Sequence, residues 1–124
     1  MTPLVFIALA LAGGLGAGAR FVLDGVIRAR VTSSYPIATL VINITGSFLL
    51  GLATGLALSA VLAPEALLVV GTGFLGGYTT FSTASVESVR LVHERRYGVA
   101  LVSSVGMLVG ATLASAAGLL LGSL

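Results

Sequence analysis

The chain has 124 residues, of which 57% are apolar and 8% are charged, and its mean hydropathy is +1.16. This balance excludes a soluble globular domain, because such domains carry about 25% charged residues. The chain has no cysteine, and its net charge of +2 is the balance of six arginines, with no lysine, against four acidic residues. Disulfides and thiolate metal sites are therefore excluded. Arginines that flank apolar runs are typical of membrane orientation and not of nucleic-acid binding.

Runs without any charged residue define the membrane spans. Four of them are long enough to hold one helix of roughly 20 residues each. They are Met1 to Ala19, Val31 to Pro64, Ala66 to Val86 and Tyr97 to Leu124. The sequence therefore predicts an all-α membrane protein, multi-pass in the cell membrane, with residues 1–124 forming a single four-helix transmembrane domain. The predicted spans are about 3–24, 36–62, 66–90 and 98–122, and a basic connection follows the first span.

The predicted third span contains the stretch of the chain that suits lipid least. Seven of the eight residues 76–83 are glycines or hydroxyl carriers. Unpaired backbone groups in hydrocarbon cost several kcal/mol, so irregular backbone at that depth must be buried in protein or line an aqueous path. We therefore expect the third helix to be broken at mid-membrane. The alternative is a continuous helix whose hydroxyls bond back to the preceding turn.

Every predicted span carries glycines at Gly-xxx-Gly spacing. They are Gly14 and Gly18, Gly51 and Gly55, Gly73 and Gly77, Gly106 and Gly110, and Gly118 and Gly122. Small residues at this spacing let helix backbones approach closely in a membrane. Because four short helices enclose little interior, the sequence also predicts association with a second copy or a relative.

Two polar residues within the spans are candidate functional residues. Arg20 is either an interfacial anchor paired with Asp24 or an anion-attracting charge at a pore mouth. Asn43 either joins helices through its amide or donates an N–H to an anion, together with the positive ring edge of Phe81.

The remaining polar residues indicate no enzyme chemistry. The charged segment 87–96 is interpreted as a solvated loop, and hydroxyls of the fourth span are expected to bond their own helix. The sequence has no set of nucleophile and base, no paired carboxylates and no phosphate-binding glycine loop. We therefore expect a protein that is not an enzyme.

Three motifs resemble those of the CrcB/Fluc fluoride channels. They are GAGARF at residues 16–21, TLVINITGSF at 39–48 and GFLGGYTTFST at 73–83. The likeness covers the whole chain in length, number of spans and order of motifs, and the third motif is highly specific to this family.

The resemblance implies an antiparallel dimer of four-helix subunits with two fluoride pathways, each built from both chains. The partner is then a second four-helix subunit, either another copy or an oppositely oriented paralogue. The implied function is passive, fluoride-selective exit of the anion from the cytoplasm, which lowers its toxicity. A structural Na⁺, which is not transported, is implied at the backbone carbonyls of Gly76 and Thr79. The residues implied along the path are Asn43, Phe81, Ser82, Thr83 and Ser103, with Arg20 in the vestibule.

The chain departs from the family pattern at two positions. Ala84 stands where the family usually has a second phenylalanine, and Met107 stands where a serine or asparagine is frequent. The two changes remove a ring and a polar group from the implied pathways.

Two other classes of protein are alternatives. A small dual-topology multidrug transporter also has four spans, but it needs a membrane-embedded carboxylate in the first span to exchange protons for a drug. The first acidic residue here is Asp24, at the end of that span. A purely structural membrane subunit is the other alternative, and it does not account for the polar stretch 76–83.

The arginines also predict an orientation. Arg28, Arg30, Arg90, Arg95 and Arg96 fall on one side of a four-span topology, and the other side has no arginine or lysine. By the positive-inside rule both termini are then outside the cytoplasm. A chain with so strong a bias suits a partner that inserts in the opposite orientation.

Overall fold

The structure, a computed structural model, describes all residues from Met1 to Leu124 and contains helices but no strand. In chain order its elements are α1 (Pro3–Arg30), α2 (Ile37–Leu58), α3 (Pro64–Leu67), a π-helical segment (Leu68–Leu75), α4 (Gly76–Tyr78), α5 (Ser82–His93) and α6 (Tyr97–Gly122). Three of these helices, α1, α2 and α6, are long and apolar enough to cross a membrane. The chain is therefore a multi-pass membrane protein.

Helix α1 is longer than the first predicted span and takes in the start of the predicted basic connection. It begins after Thr2, whose hydroxyl accepts a hydrogen bond from the Val5 amide at 3.2 Å. It continues to Arg30, and an ion pair at 2.9 Å between Asp24 and Arg28, four residues apart on one helix face, supports this last part. The helix ends at Val31, which has extended backbone angles.

The third predicted span does not form one long helix. Its residues are divided among shorter elements, so none of the three long apolar helices corresponds to it. Residues 64–78 form one helical stretch, made of α3, the π-helical segment and α4, that is followed by Thr79 in an extended conformation with φ −78° and ψ 158°. Helix α5 begins only at Ser82. We call residues 79–81, which lie between the two helical stretches, the interruption.

Glycines bring α1 against the helical stretch 64–78 at backbone contact. A β-carbon added at Gly16 would overlap the carbonyl of Phe74, and one added at Gly77 would overlap the carbonyl of Gly13. Gly73 faces α1 in the same way, with the Leu9 oxygen 2.8 Å from the position of a β-carbon. This seam closes only where the side chain is a hydrogen atom.

A second glycine seam joins α2 to α6. The seam residues that leave no room for a β-carbon are Gly51, Gly55, Gly118 and Gly122. Gly110 is tight as well, because a β-carbon there would lie 2.9 Å from Cδ1 of Ile44. By contrast, Gly14, Gly18 and Gly106 meet no atom within 4 Å in this chain. On α1, packing within the chain therefore uses a different helix face from the one that Gly14 and Gly18 predicted.

A small core lies between α2 and the helical stretch 64–78. It consists of Ile42, Leu75 and Tyr78, with Phe74 stacked on Tyr78 at a ring centroid distance of 6.4 Å. The Tyr78 hydroxyl lies 3.0 Å from the Thr45 hydroxyl, so this ring is anchored at its polar end as well. Most other large apolar side chains point outward, as expected of helices whose solvent is lipid.

We predict that Gly16→Ala destabilises the protein, because the added methyl group forces α1 away from the Phe74 carbonyl. Overpacking of this kind costs about 1–3 kcal/mol. The matched control is Gly14→Ala on the same helix, which meets open space and is expected to change stability by less than about 0.5 kcal/mol. Unfolding midpoints of the purified protein in detergent compare the two variants. Equal midpoints would contradict the seam between α1 and residues 64–78.

Candidate functional site

A groove of about 700 Å³ opens on one side of the chain, between α2, the interruption and α6. Its polar lining residues are Asn43, Ser47, Thr72, Thr79, Thr80, Ser85, Ser88, Ser103 and Ser104. Apolar side chains lie among them, including Leu50, Phe81, Met107 and Leu108. The groove contains hydrogen-bonding groups of the lining side chains but no acidic or basic side chain. It therefore suits a small ligand that is held by neutral donors or acceptors.

The side chain of Asn43 holds the interruption in place. Its Nδ2 donates to the carbonyl of Thr80 at 2.8 Å, and the Thr80 amide donates to Oδ1 of Asn43, also at 2.8 Å. The reciprocal pair satisfies both backbone groups of a residue that no helix includes, as buried backbone requires. Asn43 thus has the joining role that was one of its two sequence interpretations. Nδ2 also contacts the sulfur of Met107 at 3.2 Å.

The residues after Thr80 start the next helix with a hydroxyl cap. The Thr80 hydroxyl accepts from the Thr83 amide at 3.1 Å, which satisfies one of the free amides at the start of α5. Thr80 Oγ1 also donates to Thr83 Oγ1 at 3.1 Å. Phe81, which lies between Thr80 and Thr83 in the chain, lines the groove and is 86% exposed.

Arg20 contacts the other side of the same segment. Its Nε donates to the carbonyl of Gly77 at 3.3 Å, in the last turn before the interruption. A cation is favourable there because the carbonyl end of a helix carries partial negative charge. Of the two interpretations of Arg20, the one that pairs it with Asp24 does not hold, since Asp24 binds Arg28 through both carboxylate oxygens at 2.9 Å. Arg20 does not line the groove.

Gly76 and Thr79 line the groove, and their carbonyls are not used by the neighbouring amides. The Thr79 amide donates to Leu75, and the Thr80 amide donates to Asn43. None of the hydrogen bonds outside the regular helices ends on the oxygen of Gly76 or Thr79. Carbonyl oxygens of this kind are suitable ligands for a hard cation.

The structure brings five of the eight predicted site residues together. Asn43, Gly76, Thr79, Phe81 and Ser103 line the groove, whereas Ser82, Thr83 and Arg20 do not. Ser103 is buried, and its hydroxyl donates back to the Ala100 carbonyl at 3.3 Å.

The sequence interpretation missed two groove hydroxyls on α5. Ser85 and Ser88 line the groove, and the Ser88 hydroxyl lies 3.0 Å from that of Ser104 on α6. Helical spacing in the sequence could have identified these serines. They follow Phe81 by four and seven residues, which are the intervals of one helix face.

A polar cluster joins three helices beyond one end of the groove. Glu87 on α5 accepts a hydrogen bond from the Thr39 hydroxyl on α2 and another from Arg28 on α1 at 3.2 Å. The Glu87 side chain is 11% exposed, and Thr39 is 1% exposed. Glu87 is therefore a structural link. The interpretation of residues 87–96 as a solvated loop is wrong for residues 87–93, which belong to α5 and include the buried Leu91.

Comparison with known proteins places this arrangement in a family. Residues 7–119 match the family described as CrcB-like protein, Camphor Resistance (CrcB). The protein named Fluoride-specific ion channel FluC 1 of Leifsonia xyli subsp. xyli is 59% identical over 124 residues, which cover 100% of this chain and 90% of that protein. Fluoride-specific ion channel FluC 2 of Cutibacterium acnes is 49% identical over 114 residues, covering 91% of this chain and 93% of the relative.

A third relative shows how far the likeness extends. Fluoride-specific ion channel FluC 1 of Bacillus anthracis is 37% identical over 123 residues, covering 98% of this chain and 90% of that protein. Since the family match and the relatives span nearly the whole sequence, the chain belongs to the CrcB family.

Proposed function

We propose that this chain forms a fluoride-selective ion channel, which lets cytoplasmic fluoride leave the cell passively and so lowers its toxicity. The observation that carries the proposal is the relative named as a fluoride-specific ion channel that is 59% identical over the full chain. An ion channel is not an enzyme. Fluoride is a weak-acid anion, so hydrogen fluoride that enters uncharged dissociates at cytosolic pH. The trapped anion then needs a path outward.

The groove supplies groups that suit fluoride. A narrow path must replace the water around this small, strongly hydrated anion with N–H, O–H and ring-edge donors. The amide of Asn43 and the ring of Phe81 provide such groups. The hydroxyls of Ser85, Ser88 and Ser103 donate to carbonyls of their own helices, so in the proposed path they turn from those carbonyls to an anion. In the proposed path Asn43, Phe81 and Ser103 contact the anion along the groove. Ser82 and Thr83 remain proposed contacts of the path and Arg20 its proposed vestibule charge, although these three residues do not line the groove of this chain.

A second subunit is needed to close the groove. Hydroxyl and amide groups that face hydrocarbon without a partner cost several kcal/mol each, so an open polar groove does not persist in lipid. We propose that the chain is a single four-helix transmembrane domain whose third span, residues 66–90, is broken at mid-membrane by the interruption. Two such subunits then pack antiparallel with their grooves covered.

The charge distribution bears on the identity of that partner. Arg28 and Arg30 lie at the end of α1, and the other three flanking arginines lie at the end of α5 and in the turn before α6. This bias favours one orientation, so the proposed partner is an oppositely oriented paralogue, with a second copy as the alternative. A reporter at the C-terminus that gives equal internal and external signal would favour the second copy.

The carbonyls of Gly76 and Thr79 are the proposed ligands of a structural Na⁺ shared with the second subunit. Their oxygens have the chemistry that a hard cation requires, and they line the groove that the partner covers. The bound ion supplies fixed positive charge, which favours an anion that passes nearby.

The alternative function, a small multidrug transporter, has weaker support. Such a transporter needs an ionisable carboxylate inside the membrane. The acidic residue of α1 is Asp24, and both of its oxygens bind Arg28.

We predict that liposomes containing this protein release fluoride and retain chloride. The reason is that a path of neutral N–H, O–H and ring-edge donors replaces the hydration of a small anion better than that of a larger halide. A fluoride-sensitive electrode measures release after addition of a potassium carrier, with protein-free liposomes as the control. If liposomes with the chain alone release no fluoride, the assay is repeated on protein coexpressed with a candidate paralogue. Equal release of chloride would contradict selectivity.

We predict that Asn43→Leu lowers fluoride flux about tenfold or more, because one hydrogen bond to an ion contributes about 1.5–3 kcal/mol. The loss of both bonds to Thr80 also lowers stability by about 1–3 kcal/mol. The matched control is Thr54→Val on the same helix, which removes a hydroxyl bonded to its own helix at 2.8 Å and lies outside the groove. Normal fluoride flux through the Asn43→Leu variant would show that Asn43 only holds Thr80 in place and does not contact the anion.

We predict that replacing Na⁺ with a large organic cation inactivates the channel and lowers its thermal stability, since the Gly76 and Thr79 carbonyls lose their partner. Thr79→Ala should have a smaller effect, because the backbone oxygen remains. Flux and unfolding midpoints are measured after exhaustive exchange, and readdition of Na⁺ is the control. Full activity and unchanged midpoints without Na⁺ would count against the ion site.

A further inference from the structure

A second pocket, of about 280 Å³, lies at the basic end of the chain and is separate from the groove except that Pro36 borders both. Its walls come from α1, the connection between α1 and α2, α5, and the turn before α6. Three arginines line it, together with two serine hydroxyls of the connection. These residues are Arg28, Arg90, Arg96, Ser33 and Ser34. The proposed fluoride path uses none of them.

The positive charge of this pocket is only partly neutralised. Two carboxylates also line it, but Glu87 already accepts from Thr39 and from Arg28 at 3.2 Å. Glu94 lies 4.0 Å from Arg96, at the outer limit of an ion pair. Arg90 takes part in none of the three ion pairs of the chain. One guanidinium therefore remains for an anion from outside the chain.

The donors indicate which kind of anion the pocket takes. A guanidinium presents several N–H groups in a planar fork that matches the oxygens of a phosphate. The Ser33 oxygen accepts from the Tyr35 amide at 3.1 Å, which leaves its own O–H to donate. The volume of about 280 Å³ corresponds to roughly nine water molecules at about 30 Å³ each. That is too large for a bare halide and sufficient for a phosphate group with a small polar substituent.

The position of the pocket selects the source of that phosphate. It lies where α1 and α5 end and α2 begins, so apolar spans and charged connections meet there. This is the depth of lipid phosphates, and basic pockets between helix ends on the arginine-rich side suit anionic headgroups. We propose that this pocket binds the phosphate of an anionic phospholipid of the adjacent leaflet, with Arg90 as its main charged contact.

The test compares two neutralising variants of the purified protein. Arg90→Gln removes the uncommitted guanidinium in the pocket, and Arg30→Gln removes a charge on the same side that does not line it. Bound phosphatidylglycerol and phosphatidylcholine are counted by native mass spectrometry over a lipid titration. The unfolding midpoint of each variant in detergent alone shows that it is folded.

We expect the unmodified protein to prefer phosphatidylglycerol. Arg90→Gln should weaken its binding about tenfold or more, the effect of one lost charged hydrogen bond. Arg30→Gln should weaken it no more than about fivefold, the effect of one surface charge near a membrane. Equal weakening by both variants, or no preference over phosphatidylcholine, would overturn the proposal.

A second arm distinguishes the lipid from free phosphate. Inorganic phosphate should displace phosphatidylglycerol only at much higher concentration, because it lacks the acyl chains that hold the lipid beside the helices. Arg90-dependent binding of inorganic phosphate without binding of phosphatidylglycerol would overturn the assignment to a lipid. These measurements do not involve fluoride, so a failure of the lipid proposal can be distinguished from a failure of the proposed channel function.

Discussion

The paired hydrogen bonds between the Asn43 side chain and the backbone of Thr80 are the interaction on which the candidate site depends. Residues 79–81 belong to no helix, so their polar backbone groups need partners that helical geometry cannot supply. Asn43 provides a donor and an acceptor at once, both at 2.8 Å. With Thr80 fixed, its hydroxyl caps α5 and the ring of Phe81 is directed to the groove.

The two glycine seams position this interaction. The seam of α1 with residues 64–78 holds the chain that leads into the interruption, and Arg20 contacts that chain at Gly77. The seam of α2 with α6 holds Asn43 and Met107 on facing helices. The cluster of Arg28, Glu87 and Thr39 then joins α1, α2 and α5 near the arginine-rich end. Each of these contacts crosses between helices that are far apart in sequence.

Much of the fold could be predicted from the sequence, because the membrane limits the choices to long apolar helices. Charge-free runs located α1, α2 and α6, and the composition of residues 76–83 marked the region that contains the interruption. The end of α1 was misplaced because an ion pair four residues apart, Asp24 with Arg28, extends the helix beyond the apolar run. The packing face of α1 was also misjudged, since Gly13, Gly16 and Gly14 are equally small and only the neighbouring backbone distinguishes them. The partner of Asn43 lies 37 positions away, and local pattern carries no information on such a contact.

The contact between Asn43 and Met107 has a consequence for how the proposed path uses this amide. A thioether sulfur is a weak acceptor, so it holds the second N–H of Asn43 at 3.2 Å less firmly than a hydroxyl or carbonyl oxygen does. In the proposed path an anion that reaches Asn43 therefore replaces the sulfur as the acceptor of this N–H, and it is the much stronger acceptor. The sulfur can move aside because the methionine side chain has three rotatable bonds. A methionine at this position therefore leaves the Asn43 amide in place as a donor for the proposed path, and it competes for that donor less strongly than a serine or asparagine side chain would.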